Sequence, residues 1–168
     1  MDTPNATAAA VPAPAVPAPA PDPAAAPAVG PAVPADIPDL LAFWAQAAEG
    51  RSITDDEDGV ARLLERDPGA LLTARVDGVL AGTVIAGWDG WRCHLYRLAV
   101  HPAHRRRCVA TALLAAAAER FRALGGRRAD AMVLDRNAVG RAAWQAAGYA
   151  PDAGWTRWTR PLPDSPEG

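Results

Sequence analysis

Between residues 95 and 114 the chain reads LYRLAVHPAHRRRCVATALL: an apolar run ending at Val100, a His-Pro break, three consecutive arginines, and then small residues that open a helix. Backbone N–H groups at a helix N-terminus carry partial positive charge and lack intrahelical partners. With Arg105, Arg106 and Arg107 beside them they form a receptor for a diphosphate. Several nucleotide or coenzyme ligands fit that description, and three arginines in a loop also fit a solvated basic turn. Upstream of Val100, strand alternation puts His94, Tyr96 and Leu98 on one face. Cys93 and Cys108 lack metal-site spacing and are too few for a disulfide framework, so no metal is expected and a reducing compartment suits them.

The elements that position these residues are legible from periodicity. Ile37, Leu40, Leu41 and Trp44 share one face of a first helix that begins after Asp36 as an acidic N-cap. Thr54-Asp55-Asp56-Glu57 reads as a capping box for a second helix, in which Val60, Leu63 and Leu64 form the buried side. Two Asp-Gly pairs, at 77–78 and 89–90, separate three antiparallel strands expected over 70–76, 79–87 and 91–100. A long helix follows over 109–124, with Val109, Leu113, Ala117, Phe121 and Leu124 on one side and Gly125-Gly126 as its stop. A short apolar strand over 130–135, a helix from Asn137 to Ala147 and a Trp-rich final strand near 155–160 complete the pattern. The order ααβββαβαβ predicts an α/β (α+β) fold with a mixed, largely antiparallel central sheet flanked by about four helices.

Residues 1–38 hold 11 of the 17 prolines, and residues 7–35 alternate largely between Pro and Ala. Such a segment loses backbone donors and has nothing large to pack, so residues 1–35 are expected to be a disordered tail, with a single domain over 36–168. Within that tail GPAVPADIP has the makings of an edge strand, since Pro31 and Pro34 exclude a central one. The net charge of −2 argues against a nucleic-acid partner. No apolar run reaches membrane-spanning length, and the N-terminus lacks signal-peptide features. A cytoplasmic protein with no membrane partner is the expectation. All 17 basic residues are arginine, and nine of them fall in residues 92–128, against Glu119 alone. Residues 1–67 carry 11 acids against three arginines. One half of the domain should therefore attract anions and the other cations.

Two motifs in this order of elements resemble the GNAT superfamily of acyl-CoA-dependent N-acetyltransferases. The first is V-H-P-A-H-R-R-R-C-V-A, where Arg105 takes the opening position of the family's coenzyme loop and Ala110 the last. The second is N-A-V-G-R-A-A-W-Q-A-A-G-Y, where Asn137, Gly148 and Tyr149 match the family's later helix. The resemblance spans residues 36–161 and implies acetyl-CoA as acyl donor. By it, the backbone of Leu98, Ala99 and Val100 would hold the acetyl carbonyl and pantetheine arm. The loop and first helical turn formed by Arg105, Arg106, Arg107, Cys108, Val109, Ala110 and Thr111 would hold the diphosphate, and Asn137 and Trp144 would line the pantetheine or sulfur end. Cys108 stands where the family has its central Gly, and Trp144 where a tyrosine often protonates the departing thiolate. An indole N–H donates a hydrogen bond but is no general acid at neutral pH, and Trp144 at helical spacing also fits a core role.

The reaction the resemblance implies is direct acetyl transfer to a primary amine, on a small molecule or a peptide, without a covalent enzyme intermediate. Some relatives place a catalytic Glu where His94 falls, which makes His94 the first candidate base and Tyr96 the second, as relay or acceptor contact. Structural roles for His94 stay open, as does a bulge that would re-aim the strand. His101 and His104 fall on the loop, toward solvent or phosphate. Asp55, Asp56, Glu57 and Asp58 serve helix capping or, facing the cleft, a cationic acceptor. Trp88 and Trp91 flank a turn and serve packing or an acceptor wall. A monomer or homodimer is expected. The alternative is an acyl-CoA-binding or regulatory module of the same fold that has lost turnover, motivated by Cys108 and Trp144.

Overall fold

The computed structural model describes residues 26–50, 52–160 and 162. Asp77 and Gly78 both take positive φ, 52° and 79°. That backbone matches strand twist, so the pair joins β2 (Leu71–Val76) to β3 (Val79–Trp88) as a tight hairpin. The Asp89 carboxylate accepts from the amides of Trp91 (2.8 Å) and Arg92 (2.6 Å), closing the next turn before β4 (Cys93–Val100). Ahead of β2 lie β1 (Ala28–Pro31), a 3₁₀ turn (Pro34–Asp36), α1 (Ile37–Ala47) and α2 (Glu57–Arg66); after β4 come a 3₁₀ turn (Pro102–His104), α3 (Val109–Ala123), β5 (Ala129–Ala131) and α4 (Ala138–Ala146). The sheet order is β1-β2-β3-β4-β5, antiparallel except for the parallel β4–β5 pair.

Two cores cover the two sheet faces. Val109, Leu113, Ala117 and Phe121 of α3 pack on Ala74, Val84, Ala86, Cys93 and Leu95. Across the sheet, Ile37, Leu40, Phe43 and Trp44 of α1 and Val60 and Leu64 of α2 meet Leu71 and Ala99. Leu40, Leu71, Leu95 and Leu113 are fully buried, each contributing about 2 kcal/mol of hydrophobic free energy. Leu124, expected on the buried side of α3, is 39% exposed beyond the last turn.

Several sequence expectations need correction. Part of the segment expected to be disordered is ordered: Ala28–Pro31 pairs with β2 from Ala28↔Arg75 to Pro31↔Leu72. The edge strand expected within GPAVPADIP thus forms over Ala28–Pro31, reaching that segment only at Gly30 and Pro31, and residues 1–25 of the expected tail lie outside the described residues. Asp36 makes no side-chain cap to α1. Its carboxylate instead accepts from Val33 N (2.9 Å) and Arg75 Nη2 (2.7 Å). The capping box built on Thr54 does not form either: Asp56 caps α2 by accepting from Gly59 N at 2.6 Å, and the Thr54 hydroxyl pairs with that of Ser52. The strand expected over 130–135 is three residues, Ala129–Ala131. Residues 155–160 form no strand. Trp155 and Trp158, three apart, do not repeat on the two-residue period of a strand face, and they are 76% and 92% exposed. No helix among the described residues is long and apolar enough to cross a membrane.

Candidate active site

The site forms where β4 changes parity. Tyr96 pairs with Ile85 and Ala99 with Thr83, so Arg97 and Leu98 together face Val84 alone. The extra residue is a bulge, and Arg97 takes φ 50° there. Before it, Cys93 and Leu95 point to the α3 core; after it, Leu98 and Val100 pack there and Ala99 joins the α1–α2 core. Hence His94 and Tyr96 share a face, with ring centroids 6.0 Å apart, but Leu98 lies on the opposite one, which corrects the expectation that all three align. Strand β5 pairs with β4 only from Cys93 to Leu95. The edge of β4 from Tyr96 to Val100 therefore has no strand beside it among the described residues, and its peptide groups suit an amide-bearing arm.

A hydrogen-bonded network holds the bulge. Trp44 Nε1 donates to Thr83 Oγ1 (2.9 Å), and that hydroxyl donates to the Arg97 carbonyl (2.9 Å). The Arg97 guanidinium reaches the α1–α2 connection, donating through Nε to Asp55 Oδ1 (2.9 Å), through Nη2 to Asp55 Oδ2, and through Nη1 to the Gly50 carbonyl (2.9 Å). Asp55 is thus committed to Arg97 and Asp56 to the cap of α2, which removes both from the acids offered to a cationic acceptor. Sequence reasoning missed Arg97, Asp55 and Thr83 as a unit because they lie up to 42 residues apart.

Beyond Val100 the chain turns at Pro102–His104 and reaches α3 through two left-handed residues, Arg106 (φ 59°) and Cys108 (φ 57°, ψ 12°). This explains a Gly at the latter position better than space does: a side chain is strained there whatever its size. Cys108 gives α3 no side-chain cap, so the first-turn amides at Val109, Ala110 and Thr111 remain for an external acceptor. Arg105 and Arg106 are exposed beside them. His104 is buried, its Nδ1 3.3 Å from Arg107 Nη1. Burial first, then the neighbouring Arg107 and His101, pushes its pKa below the usual histidine value. It packs under the loop instead of facing solvent.

The remaining residues fall as follows. Asn137 Oδ1 accepts from Gly140 N at 2.7 Å as the cap of α4, leaving its amide nitrogen for any ligand. Trp144 stacks edge-on against Tyr149 at 4.9 Å and packs on the α3 core, which is the core role its spacing allowed. His94 Nδ1 lies 3.0 Å from Asp130 Oδ2, its register partner on β5, and Nε2 lies 3.8 Å from Asp89 Oδ2. A carboxylate only accepts, so the contact with Asp130 puts a proton on Nδ1. Burial, followed by the Asp130 charge, raises the Tyr96 pKa, with Arg157 opposing, and Tyr96 stays a neutral phenol. The backbone amides of Arg92 and Trp91 lower the pKa of Asp89 and keep it ionised. Asp130 escaped the sequence reading because only the parallel pairing of β4 and β5 brings it to His94.

Residues 37–149 match the acetyltransferase (GNAT) family. An acetyltransferase of Yersinia pestis (strain Pestoides F) is 33% identical over 102 residues, covering 61% of this chain and 72% of that protein. The fold is shared with Ard1 from Thermoplasma volcanium, at TM-score 0.65 and 17% identity over 74% of this chain and 83% of that one. It is shared also with the PaiA N-acetyltransferase of Thermoplasma acidophilum, solved in complex with coenzyme A, at TM-score 0.63 and 15% identity over 73% and 88% of the two chains.

Proposed function

The chain belongs to the acetyltransferase (GNAT) family, and on that premise we propose that it transfers an acetyl group from acetyl-CoA to a primary amine, with His94 as the proton acceptor. The observation that carries the proposal is the His94–Asp130 pair beside the open edge of β4. The fit to the acyl donor rests on three features: the unpaired edge at Leu98, Ala99 and Val100, the uncapped start of α3, and the exposed Arg105 and Arg106. The peptide groups of that edge suit the pantetheine arm, and the helix amides with the arginines suit the diphosphate. When bound, acetyl-CoA supplies the thioester whose carbonyl carbon forms the new N–C bond as the C–S bond breaks.

His94 Nε2 takes the proton of the incoming amine directly or through water, and Asp130 holds the ring in the tautomer that allows this. Tyr96, next to His94 on the same face, relays a proton or contacts the acceptor as a neutral phenol. The Arg97 network fixes the bulge, and with it the direction in which the peptide groups of Leu98 and Ala99 point.

Calorimetric titration of the full chain with acetyl-CoA, followed by amine-dependent release of coenzyme A thiol, tests this reading. Binding with a Kd on the order of micromolar is expected. His94→Ala should lower turnover by about 100-fold or more with donor affinity unchanged. Equal turnover in that variant removes His94 from the reaction. The left-handed Cys108 favours one other reading, an acyl-CoA-binding module without turnover, which predicts donor binding with no thioester cleavage in the presence of any amine.

A further inference from the structure

At the end of the sheet remote from the coenzyme loop lies a cleft of about 510 Å³, walled by Trp88, Trp91, Arg92, Arg127, Arg128 and Asp130. It is set there by topology: α3 starts just after the C-terminal end of β4 and returns to the other end, where the chain passes through Gly125-Gly126 to β5. Trp91 is 76% exposed, a large apolar area open to solvent. The Arg92 guanidinium lies 4.4 Å from the Trp91 ring centroid, a cation–π contact that holds the charge in place. None of Arg92, Arg127 and Arg128 has an ion-pair partner among the described residues, whereas Arg75, Arg97, Arg120 and Arg122 all do.

The same wall carries one group of the opposite sign, Asp130, whose carboxylate is hydrogen-bonded to His94 behind it. Arg127, Arg128 and Asp130 line one cleft, so both signs of charge face the same space, as the two ends of a short zwitterion require.

We infer that this cleft binds a short zwitterionic amine of dipeptide size, its ammonium directed to Asp130, its carboxylate to Arg127 and Arg128, and an apolar side chain to Trp88 and Trp91. As an acceptor assignment it rests on the acetyl-transfer reading; as a binding site it stands on the cleft alone. On transfer, the ammonium passes one proton to His94, the freed amine nitrogen bonds to the acetyl carbon as the C–S bond breaks, and the second proton leaving that nitrogen goes to the departing sulfur, giving the amide and the coenzyme A thiol.

The test is calorimetric binding of alanyl-phenylalanine to the full chain, beside its C-terminal amide, which keeps the amine and loses the negative charge. The acid should bind at least about tenfold more tightly, equivalent to about 1.4 kcal/mol. The R127A/R128A double variant should erase that preference while leaving thermal unfolding and acetyl-CoA affinity where they were. Equal affinity for acid and amide overturns the inference, as does failure of the acid to bind below about 10 mM. A dipeptide that binds while acetyl-CoA neither binds nor is cleaved leaves the site standing and removes the acetyl-transfer reading. Acetylation of other amines without dipeptide binding does the reverse.

Discussion

Arg97, at the bulge of β4, and Asp55, between α1 and α2, form a two-pronged ion pair whose side chains are only 12% and 15% exposed. The pair ties β4 at its bulge to the connection between α1 and α2. Breaking one partner leaves the other charged and poorly solvated, which costs about 3 kcal/mol or more. Arg97→Ala should lose that much in denaturant unfolding and weaken acetyl-CoA binding. Arg97→Met combined with Asp55→Leu should recover most of the stability. A loss below about 0.5 kcal/mol in the single variant would show the pair behaving as a solvated surface contact.

Cys108→Gly removes a side chain from a left-handed backbone, a relief of about 1 kcal/mol or more, partly offset by the freedom glycine gains in the unfolded chain. Stability should rise slightly and acetyl-CoA affinity should hold or increase. A sharp fall in affinity in titration calorimetry would refute this account of the loop.

Gly82 lies where β3 runs beneath α3. A methyl group there would come within 2.6 Å of Val109 Cγ1 and 3.0 Å of both Leu113 Cδ1 and the Ala99 carbonyl. Gly82→Ala should therefore cost about 1–3 kcal/mol by overpacking. Adding Val109→Ala should return part of it, if crowding against that side chain is the cause. Thermal melts of the three proteins decide the point, and an unchanged Tm for Gly82→Ala contradicts the packing.

The pH dependence of stability should carry a contribution from His104, whose folded-state pKa lies below its ordinary value of 6.5. With a lowered pKa the unfolded chain binds the proton first, so stability rises with pH through this window. The contribution is absent well above 6.5; the loss begins as pH falls through that value and is complete below the folded pKa. Urea unfolding between about pH 5 and 8 should show this slope in the native chain and a reduced one in His104→Gln. Identical slopes would assign the dependence to other groups.

Helix and strand positions followed from period because each buries one face: Val109, Leu113, Ala117 and Phe121 recur at helical spacing and all are buried under the sheet. The Asp77-Gly78 turn was legible for a local reason, since its backbone angles suit those two residue types. The basic loop between β4 and α3 was legible too, as consecutive residues between a strand and a helix. What tertiary structure alone decided depends on distant partners. The bulge at Arg97 arises from register against β3 and is held by Trp44, Thr83 and Asp55, none of them a sequence neighbour. It moved Leu98 to the other face, which simple alternation placed beside Tyr96. The partner of His94 came from the parallel register of β5, 36 residues away, where chain order specifies no pairing until the α3 crossover is packed. Local periodicity encodes which face of an element is apolar; it holds no information about which residue of another element lies opposite, and that pairing decides which side chains meet.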